Sequence, residues 1–338
     1  MAGNVLKIRP LYLPLAYVLT LWLFNYSLGF ISIEQDRTSV LARDAGAAVV
    51  LPLLTALLWW SRNVCIVSCA NSLGYIASHR RTRKQSKLVH HFEKIIINRL
   101  SKLNAVIAVL AAMIATLYLS SEGLFNVQET SVYQVSEYRY LLLLQALPLW
   151  FCLLSYITTL YFILRLVFLY CSKYMRVRLF EVEEMSPICD LIVVNFLFAT
   201  LLISTYPINS FFVDIPKTDQ FLMLFFAIII AGILLVPIYW VQSVIRLRKD
   251  RSLTRVNDSL NAQLDKNHTQ SAQRRLVDDD VRLQYISDLL VVRKEIQRAP
   301  VWPMNVPFAL KMLFILTIPL LSWTGAGIIS QMIKPWTQ

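Results

Sequence analysis

Long apolar stretches alternate with polar ones along the chain, and the polar ones are of two kinds, strongly basic and nearly neutral. The apolar stretches fall near residues 11–33, 46–70, 103–120, 140–170, 191–213, 221–245 and 307–333. Crossing about 30 Å of hydrocarbon takes roughly 20 helical residues at about 1.5 Å rise each, and each stretch reaches about that length. Strict alternation is missing, which argues against strands. The pattern predicts an all-α membrane protein with seven transmembrane helices in a single domain over 1–338. The third stretch is the shortest, and the fourth and seventh are long enough to project beyond the bilayer. The largest polar segment, 246–303, lies between the sixth and seventh. Within it Leu283, Ile286, Leu289, Leu290 and Ile296 recur at helical spacing with charges between, predicting an amphipathic helix. Pro300, Pro303 and Pro307 then break the path before the last span.

Composition agrees with this reading: 57% of the 338 residues are hydrophobic and only 16% are charged, against about 25% charged in soluble domains. The formal charge of +12 would suggest nucleic acid in a soluble chain, but its distribution points elsewhere. Counted over alternate loops, one side carries 25 Lys and Arg and the other 5. The shorter loops alone give 13 against 5 in the same sense. Basic residues stay on the cytoplasmic side. The amino terminus is therefore expected in the cytoplasm and the carboxyl terminus outside, in a multi-pass protein of the plasma membrane. Basic loops beside an anionic leaflet need no nucleic-acid partner. The sequons Asn257-Asp258-Ser259 and Asn267-His268-Thr269 fall on the cytoplasmic side and are expected to stay unmodified. Residues 10–33 are longer than a signal core and are followed by no small-residue cleavage site, so no cleavable signal is expected.

The chemistry of the spans is sparse. Asp190 stands at a span boundary, and no Asp, Glu or His falls deep within a predicted helix. Proton relays and metal ligation need such groups. His79, His90, His91 and His268 all lie in basic loops, and no phosphate loop, zinc-helix motif or nucleophile elbow occurs. No enzyme activity, metal or cofactor is expected. Cys65 and Cys69 share a helix face without partner ligands and read as small packing residues. Arg165 and Lys311 lie toward cytoplasmic span ends, where long side chains snorkel. Arg62 follows Trp59-Trp60 with apolar sequence on both sides, which suits a cation facing a wet cavity or the bundle interior.

Polar and aromatic residues gather in the outer halves of the spans: Tyr118, Gln145, Trp150, Tyr206, Asn209 and Phe225. Apolar pockets with a few polar groups are ordinary ligand sites, and interfacial anchors have the same composition. The last span changes along its length, bulky and apolar over 312–321, then small and polar from Ser322 through Gly327, with Ser330 and Gln331 beyond. Ser322 or Gly325, Gly327 or Ile328, and Gln331 follow helical spacing. Such a stripe suits either a narrow conduit or a tight helix contact.

Together these features resemble the insect gustatory and odorant receptor superfamily, as a divergent gustatory-receptor-like member. That family carries Thr, Tyr, five apolar residues, Gln and Phe in its last helix. Here Thr324 and Gln331 match at the right separation, with Gly325 and Met332 in place of Tyr and Phe. The inward amino terminus, the extended fourth helix and the cytoplasmic stretch before the last span also fit. The resemblance implies that 246–303 anchors four subunits together. It implies a last helix lining a cation pore through Thr324, Ile328 and Gln331. A small organic ligand bound among the outer halves would bias opening. The implied partners are the lipid bilayer, that ligand, and further copies or related receptor subunits.

Two other classes compete. A G-protein-coupled receptor is opposed by the charge bias, by the lack of an outer disulfide pattern, and by Glu137-Tyr138-Arg139-Tyr140 falling on the wrong side. A carrier or non-conducting scaffold is the other; no inverted repeat or coupling carboxylate marks a carrier.

Overall fold

The computed structural model describes residues 11–31, 40–78, 85–121, 139–174, 186–212, 217–269, 280–301 and 306–337. All regular structure among them is helical: α1 (Tyr12–Ser27), α2 (Val40–Ser78), α3 (Gln85–Ser121), α4 (Arg139–Leu144), α5 (Ala146–Tyr174), α6 (Ser186–Thr205), α7 (Lys217–Thr269), α8 (Asp280–Arg298) and α9 (Val306–Thr337), with a 3₁₀ turn (Tyr206–Phe211) after α6. Among the described residues, five segments are long and apolar enough to cross a membrane: Ala42–Ser78, Ser86–Leu117, Tyr140–Leu169, Pro187–Phe211 and Phe308–Gly325. The first predicted span is not among them, and most side chains of the sixth lie outside the described residues. α1 has 16 residues, about 24 Å of helix. The apolar stretch 221–245 lies inside α7, whose 53 residues run about 80 Å, far beyond any bilayer.

Three element boundaries differ from the sequence pattern, each for a physical reason. The helix around 103–120 begins at Gln85. Lys87, Lys94, Arg99 and Lys102 lie on it with their side chains exposed, so the basic loop is largely a helical extension. The fourth apolar stretch is two helices, broken at Gln145. Pro148 lacks an N–H and its ring crowds the carbonyl of Leu144, so the helix cannot run straight through. The amphipathic segment does form α8, but its inward stripe is Ile286, Leu289, Arg293 and Ile296, while Leu283 and Leu290 are exposed. A spacing of three, four and three residues keeps that stripe on one face; Leu283 and Leu290 fall outside it.

α2 is the hub, packing against α1, α3, α5, α6 and the 3₁₀ turn. Small residues permit this close approach: Ala45, Ala48, Ser61, Cys65, Cys69 and Ala70 are all fully buried along it. Cys65 and Cys69 are free thiols, in the packing role expected of them. Around this hub runs one apolar core, with Leu73 of α2, Leu100 of α3, Ile163 of α5, Phe196 of α6 and Ile245 of α7. It continues to Ile296 of α8 and to Phe308, Met312 and Ile315 of α9. Ser72 donates its hydroxyl to the carbonyl of Pro187 at 2.8 Å, tying the C-terminal part of α2 to the start of α6.

α8 folds back against α7. Lys249 of α7 reaches over the end of α8, where its Nζ donates to the carbonyls of Gln297 at 2.7 Å and Ala299 at 2.8 Å. A cation there satisfies carbonyls that a helix terminus leaves open and complements its dipole.

Candidate functional site

α9 has two unlike faces. Phe308, Met312 and Ile315 are buried, and the helix rests on α6 and the 3₁₀ turn. Ser322 donates to the carbonyl of Ser204 at 2.7 Å, and the ring of Trp323 lies 6.1 Å from that of Tyr206. The opposite face is bare within the chain. Leu313 is 63% exposed, Phe314 71%, Leu320 63% and Ile328 56%. Leu310, Leu321 and Thr324 are exposed too. Positions 310, 313, 314, 317, 320, 321, 324 and 328 recur every three or four residues, so this is one continuous stripe. The predicted pore residues Thr324 and Ile328 stand toward its C-terminal end. The hydroxyl of Thr324 donates back to its own helix, to the carbonyls of Leu320 at 2.9 Å and Leu321 at 3.2 Å. Gln331 lies on α9, with its side chain outside the described residues.

The predicted pocket residues divide into separate groups. Gln145 sits at the α4–α5 break and is buried. Its Nε2 donates to Oδ1 of Asn25 at 2.7 Å, while Asn25 returns a bond from Nδ2 to its Oε1 at 3.2 Å. Asn25 Nδ2 also donates to the carbonyl of Ala48 in α2 at 2.8 Å. The amide of Gln145 is thus committed to holding α1, α2 and α5 together. Trp150 is half-buried one turn further along α5. Tyr206 and Asn209 lie in the 3₁₀ turn on the other side of α2, with Asn209 against Gly46. Phe225 is exposed on α7. Tyr118 lies on α3, its side chain outside the described residues. α2 therefore stands between the Gln145 group and the Tyr206–Asn209 group, and the described ones do not line one cavity.

Arg62 is half-buried beside Cys152 of α5, with no hydrogen-bond partner on its Nε. Asp44 lies 18 positions earlier on the same helix, about 27 Å away. Because Ser72 is level with Pro187, Asp190 falls about 10 Å from the Arg62 level along the bundle. A cavity of about 320 Å³ lies between α1 and α2, lined by residues that include Leu15, Leu19, Trp22, Leu53, Leu57 and Trp60. It is apolar and includes none of the predicted pocket residues.

Sequence reasoning passed over Asn25, Gly46 and Pro52. Asn25 is fully buried, and Pro52 lies inside α2. A proline removes the N–H that would bond to the carbonyl four residues back, here that of Ala48. A buried carbonyl left unmet costs about 1–3 kcal/mol, and the Asn25 amide meets it. The signal was present as one amide and one proline, each isolated within an apolar run, but nothing in the linear pattern links positions 25 and 52.

The chain matches no family model, no curated protein and no solved structure.

Proposed function

We propose that the chain is a chemosensory receptor of the gustatory-receptor type, acting as a tetrameric ligand-gated cation channel in the plasma membrane. In this reading it catalyses no reaction, needs no cofactor, and has its amino terminus in the cytoplasm and its carboxyl terminus outside. The observation that carries the reading is the bare stripe of α9, apolar from Leu310 to Leu321 except for the half-buried Thr317, with Thr324 beyond it. A helix seated on its own bundle by one face, with a continuous second face left over, suits a central position among copies. There Thr324, Ile328 and Gln331 line the narrow outer part of the conduit. The α7–α8 hairpin supports the same assembly, because α7 is long enough to carry it well clear of the bilayer.

Ligand binding among the outer halves of the helices shifts a closed–open equilibrium. Taking that equilibrium from about 1:99 to about 99:1 requires about 10⁴-fold tighter binding to the open form. Gln145, Tyr206 and Asn209 belong to this outer layer, flanking α2 on two sides.

The test is cysteine substitution at Thr324, Ile328 and Gln331 in cells expressing the receptor and screened for cation influx against a panel of small organic compounds. Thiol reagents applied from outside are expected to block influx at these positions and to leave cysteine at Met312, on the packed face, unaffected. Insensitivity at all positions from 324 to 331 would remove α9 from the conduction path.

A further inference from the structure

Two prolines shape the outer layer. Pro52 interrupts the hydrogen-bond ladder of α2, and Pro148 sets the break between α4 and α5. One side chain of α1 serves both places: Asn25 donates to the carbonyl of Ala48 that Pro52 leaves open, and exchanges two hydrogen bonds with Gln145 at the α4–α5 break. Trp22 adds a bond from its Nε1 to the next carbonyl, Val49, at 3.0 Å. Asn25 and Ala48 are fully inaccessible to solvent, so no water competes for these bonds.

Beyond Pro52, the outer arm of α2 carries Gly46 six positions away, about 9 Å along the helix. Gly46 is closed in by the other end of the layer: a Cβ there would collide with Oδ1 of Asn209 and lie 3.5 Å from Cβ of Phe212. Asn209 belongs to the 3₁₀ turn that supports α9 and that places Tyr206 beside Trp323. A bend of about 10° at Pro52 would move Gly46 by about 1.5 Å, more than so close a contact can absorb.

We infer that Pro52 makes α2 a hinge, that Asn25 and Gln145 latch it, and that its outer arm transmits the arrangement of α1 and α5 to the 3₁₀ turn and so to the seat of α9. A helix weakened at a proline and repaired by another helix has its bend set from outside. A continuous helix would hold its bend by itself. The inference concerns the packing of the chain and does not depend on conduction, so its test needs no current.

The test uses the full chain in lipid nanodiscs, carrying Gly46→Cys and Asn209→Cys and oxidised with copper phenanthroline. The disulfide is followed by mass spectrometry of the linked peptides. Asn25→Leu is expected to change the crosslinking rate at least about fivefold in the parent background. In the Pro52→Ala background residue 52 regains its N–H, the carbonyl of Ala48 is met within α2, and Asn25→Leu is expected to change the rate by less than about twofold. An equal effect in both backgrounds, or none in either, overturns the hinge. Where Asn25→Leu alone fails to fold, Asn25→Leu/Gln145→Leu, which leaves neither amide orphaned, replaces it in both backgrounds, and the same outcomes support or overturn the hinge.

Discussion

α2 and α9 are almost indistinguishable by hydropathy: their most apolar windows average 1.5 and 1.6. Within one chain they are opposites. Half of the α2 window is buried, against 17% of the α9 window. α2 is surrounded because small residues line it, and Ser72 ties it to the start of α6. α9 touches its bundle along one face and presents the other outward. Apolar content tells that a helix avoids water, but whether lipid or another helix replaces the water is decided by side-chain size and position.

The sharpest contrast is expected from truncating a leucine in each helix. Leu73 of α2 is fully buried, and Leu73→Ala should cost about 2–5 kcal/mol. Leu320 is exposed within the chain, and Leu320→Ala should change the stability of the isolated chain by less than about 0.5 kcal/mol. Unfolding of detergent-purified monomer checks both, and similar losses would erase the distinction.

Glycines sharpen the comparison at smaller scale. A Cβ at Gly74 would lie 2.5 Å from Cγ2 of Val89 and 3.2 Å from its backbone N and Cα, so α2 and α3 touch there. Gly74→Ala should destabilise by about 1–3 kcal/mol. At Gly325 and Gly327 nothing lies within 4 Å of the added carbon. Alanine there should be neutral or stabilising by up to about 1 kcal/mol in the monomer, through helix propensity. If the same substitutions weaken the assembled protein, as size-exclusion profiles would reveal, a partner covers that face.

The Lys249 contact is expected to have a lesser effect. Its two bonds to the end of α8 lie near the surface, so Lys249→Met should cost about 1 kcal/mol. Its visible consequence is faster proteolysis after Arg298, measured by limited trypsin digestion, and an unchanged pattern would leave the cap without a role. The last expectation involves no change in stability: expression in glycosylating membranes should leave Asn257 and Asn267 bare, and a glycosidase-sensitive mobility shift would reverse the assigned orientation.

Much of the helix layout was legible because long apolar runs admit few other structures. The regions around 46–70 and 307–333 fall within described helices, as does 191–205 of the fifth stretch, and the small residues at Cys65 and Cys69 announced close packing. What stayed hidden depended on contacts between distant positions. The extension of α3 back to Gln85 carries exposed lysines that look like loop residues in a linear reading. Gln145 stood out as a polar group in an apolar run, but its pairing with Asn25 and the carbonyl beside Pro52 exists only once α1, α2 and α5 are assembled. The pocket candidates were chosen for a similar expected depth along the spans, which the sequence can suggest. Gln145 and the Tyr206–Asn209 pair do not share a side of α2, which only the packing decides.

In the proposed assembly, other copies cover the bare face of α9 around a conduit. Single-particle imaging of the full chain in lipid nanodiscs tests it most directly. Fourfold particles with the Leu310–Ile328 face of α9 turned toward the axis are expected. Monomers, or oligomers in which that face meets lipid, would contradict it.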